Sequence, residues 1–120
     1  MTRQFKHGEI WLANLNPGRG TEPGKVWPVL LVQNQALLDV QHPSTLIIPL
    51  TTNLVDDAEP LRLRVTAQAG LDRDSDLLVD QLRAIDNKRL IDGPLLQLDG
   101  ESLLRVYRAV AEVLGMEIAQ

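Results

Sequence analysis

Apolar residues occur along this chain in short bursts separated by turn-forming segments, with one long periodic stretch near the end. Glu9–Leu15 (EIWLANL) predicts a strand with Ile10, Leu12 and Asn14 on one face. Asn16–Gly24 (NPGRGTEPG) is dense in Pro, Gly and Asn and predicts a loop. Pro28–Gln33 and Thr45–Leu50 are short apolar runs rich in branched side chains, the pattern of buried strands. Gln35–Pro43 between them fits either one turn of helix or a loop. After a loop over Asn53–Pro60, Leu61–Val65 (LRLRV) alternates as a half-buried strand does, and Asp76–Arg83 predicts one further strand. Asp86–Ile91 fits a single helical turn. The clearest element is a C-terminal helix, with Leu103, Leu104, Tyr107, Val110, Ala111 and Leu114 as its apolar stripe, Asp99 as cap and Gly115 as stop. Five or so short strands followed by one amphipathic helix predict a mainly β (α+β) domain. Its expected form is a small antiparallel barrel or curled sheet with the helix packed against it. With no internal repeat or linker, residues 1–120 read as one domain.

Composition narrows the setting. The chain has 120 residues, 44% of them hydrophobic, which is ordinary for a folded domain. It contains no cysteine, so disulfides and thiolate metal sites are excluded. The N-terminus is polar and no apolar run approaches the roughly 20 residues a membrane span needs, so no membrane association is expected and the cytoplasm is the expected compartment. A net charge of −4 is not the footprint of a nucleic-acid binder, but the charge is uneven. Residues 28–60 carry four acidic and no basic side chains, whereas the basic ones gather between Arg3 and Lys25 and between Arg62 and Arg89. Those two segments could converge into a basic patch on an acidic body.

Local motifs yield no reaction by themselves. Gly18–Lys25 (GRGTEPGK) has the glycines and lysine of a phosphate loop, but their spacing is wrong, Val26 replaces the hydroxyl residue, and a strand follows where a helix is required. His7 and His42 are too few and too isolated for a metal cluster. Asp72, Asp74 and Asp76 resemble half of a calcium loop without its glycine or closing glutamate, and read as a solvated loop. No nucleophile elbow or Cys–His pair is present. No metal or cofactor is expected.

The order of four blocks says more. Gly8–Glu22 (GEIWLANLNPGRGTE), Pro28–Asn34 (PVLLVQN), Ile48–Asn53 (IPLTTN) and Leu78–Asp86 (LVDQLRAID), followed by the terminal helix, resemble the MazF/PemK (Kid-like) toxins in sequence and spacing from Gly8 to Leu114. The resemblance implies a curled antiparallel sheet related to SH3-like barrels, a homodimer, and a cognate MazE-like antitoxin that blocks the RNA groove. It also implies metal-independent cutting of single-stranded RNA, in which the 2′-hydroxyl attacks the adjacent phosphorus and leaves a 2′,3′-cyclic phosphate. Such chemistry needs a base, an acid for the leaving oxygen, and donors for the charge that grows on the phosphorane.

Carried over residue by residue, the resemblance makes Thr51 the catalytic threonine, donating to a non-bridging oxygen. It implies that Glu22, Asn34, Ser75 and Gln81 line the RNA groove; Arg83 has three open readings, a phosphate contact, a dimer contact or a solvent-facing position. The family's second catalytic residue is an arginine immediately before the proline of the second block, and here that position is Trp27. Tryptophan carries no charge, though its ring can stack on a base. Lys25, two residues earlier on an extended segment, and Arg19 in the loop are the candidates to supply the missing charge. Trp11 is expected in the core. Two alternatives stay open: a catalytically weakened dimer that mainly binds antitoxin or RNA, and a gyrase poison of the structurally related CcdB type.

Overall fold

The computed structural model describes residues 3–15 and 25–117. Seven strands and two helices follow in the order β1 (Glu9–Asn14), β2 (Val26–Leu31), α1 (Gln35–Asp39), β3 (Ser44–Thr51), β4 (Arg62–Val65), β5 (Ser75–Leu78), β6 (Arg83–Asp86), β7 (Leu90–Gln97) and α2 (Gly100–Leu114). Short 3₁₀ turns at Val79–Gln81 and Asn87–Arg89 flank β6. All pairings are antiparallel, in the order β4-β5-β3-β2-β1-β7, with β6 also on β3. The sheet curls without closing: no pairing joins β4 to β7 among the described residues. The loop after β4 comes closest to bridging that gap, where the Gly70 N–H donates to the Leu95 carbonyl at 2.7 Å. A Cβ on Gly70 would stand 2.7 Å from that same oxygen, so only glycine permits the approach.

The long strand β3 organises the sheet. The single strand expected over Asp76–Arg83 is instead β5, a 3₁₀ turn and β6, all beside β3. Leu50 pairs with Leu77 and Ile47 with Arg83, so the partner advances six residues while β3 advances three. Val79–Gln81 absorbs the excess, as a bulge does, and bends the chain there.

Both faces of the central strands are buried, which is why β2 and β3 read as continuous apolar runs rather than alternating ones. One face packs Ile10, Leu30, Ile48 and Leu50 against Leu63, Leu77, Val79 and the helix residues Val106 and Ala109. The other packs Trp11, Ala13, Val29, Leu31 and Ile47 against Ile85 and Leu90. Trp11 is a core residue, as expected, with its indole N–H donated to the buried Glu9 carboxylate at 3.1 Å.

Helix α2 begins and ends where its capping residues predict. The Asp99 carboxylate accepts from the Ser102 N–H at 2.7 Å, and Gly115 closes the helix at φ +75°. Of the expected stripe, Ala111 is buried and Leu103 and Val110 partly so, but Leu104, Tyr107 and Leu114 are exposed, and the inner face is centred on Val106 and Ala109. Two apolar stripes lie about 100° apart on this helix, and the sheet takes the one that includes Val106.

Candidate active site

Thr51 is the last residue of β3 and is half-buried. Its Oγ1 accepts from the Asn53 N–H at 3.1 Å, a local turn that fixes the hydroxyl while using a lone pair and not its proton. In β5, directly opposite Thr51, stands Asp76, and opposite Asp76 in β4 stands Arg64. On the other flank, β2 pairs Val29 with Pro49; the same register carried two residues further sets Trp27 level with Thr51. Opposed residues of neighbouring strands share a face. Thr51, Asp76 and Arg64 therefore form one row across three strands, each step about 4.8 Å, and the β2 register continued past its last pair points Trp27 to the other end of it.

Asp76 is the electrostatic centre of this row and is 1% exposed. It accepts from Arg64 Nε at 2.6 Å, from the Val55 N–H at 2.9 Å and from Arg62 Nη1 at 3.3 Å. Burial alone would raise its pKa; the Arg64 hydrogen bond, the Val55 amide and Arg62 outweigh that and hold the carboxyl below its ordinary 3.8. The same bond pushes the Arg64 guanidinium still further above its already high value. Arg64 is thus a fixed positive donor and cannot release a proton at neutral pH. Arg62 Nη1 also reaches the Asn53 carbonyl at 2.8 Å, so this arginine and the Thr51 hydroxyl bracket the same residue. Arg64 Nη2 meets Asp56 Oδ1 at 2.8 Å, a carboxylate whose side chain is 82% exposed. An open depression of about 300 Å³ lies here, lined in part by Val55, Asp56, Arg62, Arg64 and Asp76.

Reading Asp72, Asp74 and Asp76 together as a solvated loop needs correction. Asp72 and Asp74 are exposed, but Asp76 is the second residue of β5 and is buried under two arginines. The signal was available in the alternation of Leu61–Val65, which sets Arg62 and Arg64 on one face of one strand, where they call for a carboxylate on the next.

The remaining predicted positions disperse. Lys25 is exposed just before β2, its carbonyl accepting from the Leu15 N–H at 3.1 Å. Arg19 and Glu22 lie outside the described residues. Asn34 follows β2 at the end opposite Trp27, seven residues and roughly 20 Å away along the strand direction. Its side-chain oxygen caps α1 by accepting from the Ala36 N–H at 2.9 Å. Ser75, expected in the RNA groove, is 1% exposed; it stands opposite the core residue Val65 and donates to the Arg73 carbonyl at 3.0 Å. Its packing on the core face removes that hydroxyl from the Thr51 row. Gln81 is exposed on the first 3₁₀ turn. Arg83 is exposed on β6, opposite Ile47 and so about 13 Å along β3 from Thr51. His7 contacts the Gln33 carbonyl and the Tyr107 hydroxyl, tying the N-terminal segment to α2, and His42 is exposed. No cluster of three candidate metal ligands occurs among the described residues, and none of their helices is long and apolar enough to cross a membrane.

A curled sheet with one terminal helix is an architecture shared with solved bacterial toxins. A structure titled MazE-MazF from Deinococcus radiodurans matches with a TM-score of 0.79 at 21% identity, covering 97% of this chain and 100% of that one. The Mycobacterium tuberculosis toxin MazF-mt6 matches at 0.75 and 18% identity, over 92% and 99% of the two chains. These likenesses establish the fold. In sequence, the family described as "PemK-like, MazF-like toxin of type II toxin-antitoxin system" matches residues 6–114. Endoribonuclease EndoA of Bacillus subtilis (strain 168) is 33% identical over 106 residues, 88% of this chain and 90% of that protein. The chain belongs to the PemK-like, MazF-like toxins, and the gyrase-poison alternative is not favoured.

Proposed function

We propose that this chain is the toxin of a type II toxin–antitoxin pair and a metal-independent endoribonuclease acting on single-stranded RNA in the cytoplasm. Its membership of the toxin family and its similarity to an endoribonuclease support that reading, and the row built on Thr51 carries the chemistry. The 2′-oxygen attacks phosphorus as its proton passes to water, the bond from phosphorus to the 5′-oxygen breaks, and that oxygen takes a proton from water. The products are a 2′,3′-cyclic phosphate and a 5′-hydroxyl. Thr51 donates its free proton to a non-bridging oxygen, on which negative charge grows as the fifth bond forms. Because Oγ1 is already fixed by the Asn53 amide, the hydroxyl needs little reorganisation at the moment of reaction.

A homodimer and a MazE-like antitoxin are the partners of this reading. Solved relatives of the same fold are titled MazE-MazF. Trp27, half-buried on the flank of Thr51, offers an uncharged ring against which an unstacked base can lie. Gln81 and Arg83, exposed further along the chain, supply polar contacts to the strand.

The test is incubation of the purified chain with a long single-stranded RNA in EDTA, followed by chemical mapping of the new ends. Cyclic phosphate and 5′-hydroxyl termini, undiminished by the chelator, are expected. Cleavage that requires a divalent ion, or ends bearing 5′-phosphate, would overturn the mechanism.

A further inference from the structure

Position 27 lacks the cation that this reaction needs beside Thr51, yet the structure holds two cations on the opposite flank. We infer that Arg62 and Arg64, aligned by the buried carboxylate of Asp76, are the cationic half of the cleavage site, gripping the scissile phosphate from the β4 side in place of a charge at Trp27. This rests on the nuclease reading above and names the residues that complete it.

Four observations carry the inference. Arg64 shares the row of Thr51, separated from it only by Asp76. Arg62 reaches the carbonyl of Asn53 while Thr51 holds the amide of the same residue, which places a guanidinium and the donor hydroxyl on either side of one residue. Both arginines are held by a carboxylate that is buried and anionic, so their planar forks are set in advance. Finally, Arg64 Nη2 is occupied by Asp56, whose carboxylate is the most exposed member of the network. An exposed carboxylate on a guanidinium edge is a like-charged stand-in for a phosphodiester. Asp56 thus occupies Arg64 Nη2 in the free protein, and RNA that displaces it frees that guanidinium edge for the phosphorane. Asp76 acts as a positioning residue and touches no substrate.

The alternative is that the network merely stabilises the sheet, and the two readings part on epistasis with position 27. The variants are R64A, R64Q/D76N, W27R, W27R/R64A and R105A, each first shown to be folded by thermal melting, and each assayed for single-turnover cleavage of one defined single-stranded RNA. R64Q/D76N removes the charge without stranding a buried carboxylate, so it reports on catalysis even if R64A fails to fold. R105A removes an exposed arginine that pairs with Glu59 and lies outside the row.

R64Q/D76N should lose about 10²-fold in rate, the loss expected for one preorganised electrostatic donor, while R105A stays within twofold of the parent. W27R should slow the parent by the lost stacking surface of Trp27 but return at least tenfold to the R64A background, where the introduced guanidinium supplies the cation from the other end of the row. Three results would overturn the inference. The first is a folded R64Q/D76N that cuts at the parent rate. The second is a large gain from W27R in the parent. The third is an equal effect of W27R in both backgrounds. In each of these the parent still cuts RNA and the nuclease reading stands. A parent that cuts no RNA while remaining folded removes both.

Discussion

Asp76→Asn tests the electrostatic centre of the site through stability alone, without any assay of RNA. The substitution keeps the shape of the side chain and removes its charge. In the parent, the carboxylate accepts from Arg64 at 2.6 Å, Val55 at 2.9 Å and Arg62 at 3.3 Å. A charge-assisted hydrogen bond contributes about 1.5–3 kcal/mol net, and breaking a buried pair costs about 3–5 kcal/mol. The side chains of Arg62 and Arg64 are 24% and 35% exposed, so water recovers part of the loss, and the expected cost is about 2–3 kcal/mol. For a domain of this size that is a fall in Tm of roughly 10 °C.

The pH dependence fixes the cause. Since the folded carboxyl titrates below its ordinary 3.8, its contribution is fully present above that value and disappears as pH falls through the folded one. Urea unfolding followed by circular dichroism at a series of pH values should therefore show a parent-minus-variant difference that is constant above about pH 5 and shrinks below 3.8. A difference under about 0.5 kcal/mol at pH 7, or one that persists unchanged to pH 2, would refute the account of Asp76.

Other expectations follow from single contacts. Asp99→Ala should cost about 1 kcal/mol in unfolding free energy, because the Ser102 amide loses its cap; a neutral result would remove Asp99 as the start of α2. Leu50→Ala, fully buried near the end of β3, should cost about 3–5 kcal/mol and lower Tm more than any surface substitution tried beside it. Asp56→Asn should tighten RNA binding several-fold at low salt, an advantage that vanishes at high salt; weakened binding would show that Asp56 does not compete with the strand. Lys25→Ala should lower the cleavage rate far less than R64Q/D76N does, and a larger loss would move the missing cation back to the β2 side.

The apolar rhythm of the chain was enough to place β1 to β4 and α2, because their burial patterns are local. Helix α2 carries its own start and stop in Asp99 and Gly115. Strand β7 was not legible: Gly93 and Pro94 interrupt Leu90–Gln97, and the strand survive only as an edge partner of β1 with register shifts. Nor does local sequence show that Asp76–Arg83 inserts three residues against β3, since that depends on two registers of a distant strand. The position of Thr51 at the end of its strand was readable from the block it shares with its family. The cations beside it were not, because the eye follows the chain from Trp27 to Lys25 and Arg19, whereas the sheet brings in Arg62 and Arg64 from a strand that follows. Ser75 shows the converse, since a polar residue expected in the groove sits on the core side of the sheet once β5 is formed.

The most direct test of the central claim is single-turnover cleavage by Thr51→Ala, measured in EDTA on the RNA linkage the parent cuts, alongside the affinity of both proteins for a copy of that RNA carrying a 2′-deoxy nucleotide at the cut site. The account predicts a loss of at least about 10² in rate with little change in affinity, because the hydroxyl acts on charge that exists only as the phosphorane forms. An unchanged rate, or a loss explained wholly by weaker binding, would contradict it.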